Sequence, residues 1–183
     1  MPRQVDHEAY RTDLVTRCTP LFAEQGYTSL TMRKIAKHLG VSTGTLYHYF
    51  PNKEALFKHV ARAVAAEDLG QARIAIPEGL STAARARAVL TYVELMESYF
   101  LQQNLVLIEY FRTVPAEEIR TDVALRSAAD FYQGTVAELL GIDTDRAKAV
   151  LMFLKGLILQ RLYDGGLTTF ADQAPYLEAL LTE

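Results

Sequence analysis

Apolar side chains recur at helical spacing in four runs along the first 75 residues, and glycine, proline or a short polar turn closes each run. Tyr10, Leu14, Cys18, Leu21 and Phe22 make one stripe, which predicts a helix from about Asp6 to Gln25 stopped by Gly26. Met32, Ile35, Ala36 and Leu39 make a second, with Thr31 as its cap and Gly40 where a left-handed residue ends a helix. Val41 can pack between helices, and Ser42 caps a brief third helix that carries Thr43, Gly44, Thr45, Tyr47, His48 and Tyr49. A fourth starts at Asn52, turns Leu56, Phe57 and Val60 back toward the first three, and runs to about Ala75 before Pro77 and Gly79.

Beyond residue 80 the same period predicts long helices at about Ser81 to Gln102, Asn104 to Val114, Pro115 to Leu140 and Asp143 to Asp164. Gly165 and Gly166 end the last of these, and a final helix falls within Ala174 to Leu181. No stretch alternates as a strand does, so the expected fold is all-α with about nine helices. Its parts are a helix-turn-helix head at 1–51, a connecting helix at 52–79 and a helical body at 80–183. Within Ala147 to Leu162, 11 of 16 residues are apolar, so that helix needs covering on two sides. One cover is the body's own core; the other is a second subunit, or else the helix is central to a monomeric bundle. The two-subunit reading draws its interface from Leu125, Ala129, Tyr132 and Val136 of the preceding helix with Val150, Leu154, Ile158 and Arg161.

Helix, tight turn and exposed polar-aromatic helix between Thr31 and Tyr49 describe a helix-turn-helix that reads DNA. Three segments, Phe22 to Tyr27, Thr31 to Ala36 and Leu46 to Leu56, resemble in the same order the DNA-binding domain of the TetR family of bacterial transcription regulators. The resemblance covers about the first third of the chain. It implies a homodimer that binds a near-palindromic double-stranded DNA operator through the third helix, with a small-molecule effector in the body. Carried over by motif position, Thr31 and Arg33 meet the backbone at the start of helix two, where amides and dipole favour phosphate. Ser42, Thr43, Gly44 and Thr45 approach base edges, Tyr47 with His48 or Tyr49 offers donors, and Lys53 clamps a phosphate. Many members of the family carry a basic residue where Thr43 stands. With no lysine or arginine on helix three, either Arg33 or Lys37 reads guanine, or readout leans on thymine methyls and DNA shape.

The net charge of -3 changes meaning once it is divided. Residues 1–60 hold eight basic side chains, Arg3 among them, against five acidic ones, and the remainder holds 11 against 17. Screening acts over about 10 Å, so a basic head on an acidic body still attracts phosphate. No apolar run approaches the roughly 20 residues of a membrane span and no signal-like segment opens the chain, which makes a cytoplasmic protein the expectation. Cys18 is the single cysteine, so no internal disulfide forms; it is a small core hydrophobe or a redox sensor.

The body offers an apolar pocket with polar anchors from Tyr92, Met96, Tyr99, Phe100, Glu109, Tyr110, Arg112, Phe131, Phe153, Leu157 and Gln160. An inward Glu suits a cationic ligand and an inward Arg a carboxylate. After His59 there is neither histidine nor cysteine, so neither metal nor cofactor is expected. The chain lacks a nucleophile and base pattern and a glycine-rich phosphate loop, which argues against an enzyme. The function expected is a ligand-released repressor; the alternative is a lipid- or small-molecule-binding protein of the same fold without operator binding.

Overall fold

The computed structural model describes residues 6–182. Arg3, counted above in the charge of the head, lies outside them. The described residues form ten α-helices, rather than about nine, and no strand. They are α1 (His7–Gln25), α2 (Met32–Leu39), α3 (Thr43–Tyr49), α4 (Lys53–Ala75) and α5 (Thr82–Leu95). After these come α6 (Glu97–Phe111), α7 (Ala116–Thr121), α8 (Val123–Leu140), α9 (Thr144–Asp164) and α10 (Ala174–Leu181), with a 3-10 turn just before α10.

The extra helix comes from Asp122. The sequence reading ran one helix from Pro115 to Leu140, but Asp122 takes an extended conformation (φ −68°, ψ 109°) and its Oδ1 accepts the Leu125 amide at 2.9 Å. That is a helix N-cap, and it divides α7 from α8. The break expected near Gln103 is instead at Met96 (φ −101°, ψ 13°). Glu97 then opens α6 with a negative charge in its first turn, where the helix dipole favours one. Asn104 does not interrupt α6, because its side-chain amide donates to the Phe100 carbonyl one turn back, at 2.9 Å.

The chain divides into two compact units. The first comprises residues through Ala65 together with Leu105–Leu125; the second comprises Ala66–Asn104 and the residues from Arg126 onward. The expected boundary near residue 80 is therefore replaced by one that gives part of α6, and α7, to the head. Tyr110 explains why. It is 1% exposed, and its ring centroid lies 4.9 Å from that of Phe57 and 5.1 Å from that of Tyr27. Around these rings Leu14, Cys18 and Phe22 of α1, Ile35 of α2, Leu46 of α3 and Val106 of α6 complete the first core. Burial of aromatic rings on this scale dominates a core of small helices.

In the second unit α10 packs against α5 and α9. Its core includes Ala86, Val89 and Leu90 of α5, Val150, Leu157 and Ile158 of α9, Phe170, and Leu177 of α10. Arg161 pairs with Glu97 at 2.6 Å and lies over the Phe170 ring at 4.6 Å.

Candidate nucleic-acid interface

Local hydrogen bonds build the α2–α3 hairpin. Thr31 Oγ1 accepts the Lys34 amide at 3.2 Å, which caps α2. Gly40 ends it in the left-handed region (φ 68°, ψ 27°), and the Val41 amide returns to the Ala36 carbonyl at 3.0 Å. Ser42 Oγ accepts the Thr45 amide at 2.9 Å, which starts α3 after a turn of three residues, Gly40 to Ser42. Leu46 and Phe50, both 0% exposed, anchor α3 and its end in the core. The opposite side of α3 is therefore turned to solvent and carries Ser42, Gly44, Tyr47 and His48.

Arg33, Lys34 and Lys37 stand exposed on α2 beside it. Between residues 31 and 50 there are three lysines or arginines, two histidines and no carboxylate. Lys34, Lys37 and His38 also line a shallow groove of about 300 Å³ against Leu21 and Gln25 of α1. A surface that pairs free positive charge with helix N-termini and exposed side-chain donors is chemically suited to phosphate and base edges.

Several expected contacts are placed differently. Lys53 was expected to clamp a phosphate, but its ammonium is turned inward. It donates to the Tyr27 carbonyl at 2.8 Å and to the Leu30 carbonyl at 2.9 Å, and it lies 4.0 Å from the centre of the Tyr27 ring. Burial lowers its pKa, with Glu109 acting in the other direction. Lys53 thus fixes the loop that delivers α2. Tyr49 is likewise committed to the interior side, with its ring 5.2 Å from that of Tyr10 and its hydroxyl 3.2 Å from His7 Nδ1. The Thr45 hydroxyl lies 2.8 Å from Ser42 Oγ, so the pair shares one hydrogen bond within the cap. Thr43 is half-buried.

The other side of that loop is held by a residue expected in a ligand pocket. Glu109 Oε2 accepts the Thr28 amide at 2.9 Å and the Thr28 hydroxyl at 3.0 Å. The Thr28 backbone bond, chiefly, holds its carboxyl below the usual carboxylate range. Gly26 is required twice here: its φ is +74°, and a β-carbon would come within 2.7 Å of the Glu109 oxygens. No periodicity in the sequence links residue 109 to residue 28.

The expected pocket residues are divided between the units. Glu109, Tyr110 and Arg112 belong to the first, with Arg112 exposed. In the second unit Tyr92 and Phe100 meet edge to face at 5.9 Å, and Met96 stands half-buried at the α5–α6 break. Phe153 packs at the core margin, Leu157 lies within the core, and Gln160 is exposed with its amide 3.4 Å from Asp164. Phe131, 49% exposed, lines an open groove of about 530 Å³ with Ala66, Gly70 and Gly134. The structure also brings in Asp68, which the sequence reading missed: both Tyr99 and Gln103 donate to it.

Of the expected subunit interface, Val136, Val150 and Ile158 are buried in the second unit's own core and cannot meet a partner. Arg161 is taken up by Glu97, Leu125 packs against the first core, and Tyr132 and Leu154 pack against the second. Ala129 is exposed. The solvent-facing stripe of α9 is instead Met152, Gly156 and Tyr163, with Leu159 half-buried beside it and Met152 60% and Tyr163 76% exposed. Cys18 is fully buried, and that burial pushes its thiol up to about 11, so at neutral pH it is a protonated core side chain.

Residues 19–60, which enclose the hairpin, match the bacterial regulatory proteins of the tetR family. The transcriptional repressor KstR2 of Rhodococcus jostii is 35% identical over 81 residues, a stretch that covers 44% of this chain and 40% of that protein. The match thus spans less than half the length of the curated relatives. Over nearly the whole chain the fold is shared with two solved structures. The multidrug-binding protein EbrR, complexed with imidazole, has a TM-score of 0.70 at 19% identity, with 94% of this chain and 95% of that one covered. The regulator FadR of Bacillus subtilis, in complex with stearoyl-CoA, has a TM-score of 0.65 at 17% identity, with 93% and 96% covered. The capped helix-turn-helix of residues 19–60 is thus similar to that of the tetR family of bacterial regulatory proteins, and the all-α fold throughout is shared with these solved structures.

Proposed function

We propose that this protein is a cytoplasmic transcription repressor that binds a near-palindromic operator as a homodimer and leaves it when a small, largely apolar ligand enters the second unit. The observation that carries the reading is the hairpin of residues 31–50, exposed, basic and free of carboxylates. Arg33 and Lys37 flank the reading helix and supply phosphate contacts, while Ser42, Gly44, Tyr47 and His48 face the groove. A two-fold operator requires a two-fold protein, and the exposed Met152 and Tyr163 of α9, with half-buried Leu159 between them, give an apolar surface for self-association. The relatives named as repressors support repression, and the neighbours solved with imidazole and with stearoyl-CoA support a ligand-binding second unit. No helix among the described residues is long and apolar enough to cross a membrane.

The test is titration of purified protein against the DNA just upstream of its own gene, with scrambled DNA as control, at about 150 mM salt. Nanomolar binding to a protected near-palindrome is the expected result. Equal and weak binding to both DNAs at every salt concentration refutes operator recognition there.

A further inference from the structure

Asp68 is the one charged side chain that is fully buried among the described residues, at 6% exposure. It sits on α4 and belongs wholly to the second unit. Tyr99 Oη donates to its Oδ1 at 2.8 Å and Gln103 Nε2 to the same oxygen at 3.3 Å, while Tyr92 Oη lies 3.5 Å from its carbonyl oxygen. The second carboxylate oxygen, Oδ2, has no hydrogen bond from a described residue and is not sealed from solvent. Nor is there a lysine, arginine or histidine paired with this carboxylate, in a unit whose other acids reach solvent or pair with arginine.

A buried carboxylate held by neutral donors alone is an uncompensated charge, and it costs free energy that a well-packed core avoids. The surrounding groups do not neutralise it but orient it. Tyr99 and Gln103 fix one oxygen, so the other is left with open acceptor capacity and an aromatic surround. Burial raises the Asp68 carboxyl, with the two hydrogen bonds working against that rise. The phenols of Tyr92 and Tyr132 are raised as well, first by burial and then by the Asp68 charge, which places Tyr132 of α8 in the same electrostatic cluster. Tyr99 is 39% exposed, so this cluster lies one ring beneath the surface.

We propose that the Asp68 carboxylate, with Tyr92, Tyr99 and Tyr132 around it, is the anchor for an organic cation with an apolar or aromatic body. The cation takes Oδ2 as its counter-charge and the tyrosine rings as its walls, where ring faces attract a desolvated cation. The anchor names the ligand class of the ligand-responsive reading above and rests on that reading for its regulatory meaning, though not for binding.

The experiment is calorimetric titration of the full chain with tetraphenylphosphonium and with tetraphenylborate, which share shape and differ in sign. A smaller probe, benzyltrimethylammonium, covers a tighter site. Either cation is expected to bind at least about tenfold more tightly than the anion, and D68N, checked for folding by circular dichroism, is expected to lose about tenfold or more. D68E, which restores the charge, is expected to recover part of that loss. Failure of both cations to bind overturns the inference, and so does equal binding by D68N or by tetraphenylborate. Operator titration on the same samples separates the two readings. A protein that binds cations through Asp68 but no operator refutes the repressor and leaves the anchor standing. A protein that binds its operator but no cation through Asp68 does the reverse.

Discussion

Tyr110 and Phe111 are adjacent aromatic residues at the end of one helix, and the structure assigns them opposite energetic weights. Tyr110 is 1% exposed and packs on Tyr27 and Phe57, whereas Phe111 is 38% exposed. A buried tyrosine removes about 150–250 Å² from water. At about 25 cal/mol per Å², removing that ring forfeits roughly 4–6 kcal/mol, which overlaps the range of about 3–5 kcal/mol for aromatic-to-alanine changes in cores. The hydroxyl adds little, since its contact with Glu54 Oε1 is long at 3.3 Å. Tyr110→Ala should therefore destabilise the first unit by about 4 kcal/mol, and Phe111→Ala by about 1 kcal/mol or less. Urea denaturation of both variants, followed by circular dichroism and by operator binding, measures the difference. A Tyr110→Ala cost below that of Phe111→Ala would refute the placement of α6 residues in the head core.

Glu109→Gln should cost about 1–2 kcal/mol at pH 7, two charge-assisted hydrogen bonds discounted for water access. Its folded-state pKa is depressed, so the contribution is complete above the unfolded value of about 4.3 and fades as pH falls through the folded one. Wild type and variant should thus converge in acid, and a gap independent of pH between 3 and 7 would contradict the Thr28 contact. Gly26→Ala should cost about 1–3 kcal/mol from its positive φ and from collision with Glu109. In a double-mutant cycle with Glu109→Ala the costs should be non-additive, and simple additivity would refute the clash. Arg33→Ala should flatten the dependence of log K on log salt by about 0.9, the share of one phosphate contact, while Lys53→Met should lower stability and leave that slope unchanged. A flatter slope for Lys53→Met would restore its role as a clamp.

The hairpin was legible in the sequence because its information is local. Thr31, Gly40 and Ser42 set the ends of α2 and α3 within a few residues of themselves, and the observed caps use those atoms. Asp122 carried the same kind of signal, but an uninterrupted helical period on both sides masked it. What could not be read depends on distant partners. Asp68 follows Glu67 on a helix with many exposed positions, so it looks like one more solvated charge until Tyr99 and Gln103 close over it. Lys53 looks like a phosphate clamp because its inward partners are carbonyl groups, which leave no trace in a sequence. The α9 residues chosen for an interface were apolar in the right number, but an apolar helix does not say which of its faces the chain itself covers.

The assignment of residues 105–125 to the first unit bears on how such proteins can be recombined. A chimera joined near residue 80 would place one protein's reading helix on another's α6. It would then ask a foreign side chain to fill the space of Tyr110 and a foreign carboxylate to find Thr28. Heads therefore do not travel as N-terminal cassettes here; a viable exchange must carry two separate stretches of chain, and gene fusion at a single crossover favours partners whose α6 already matches.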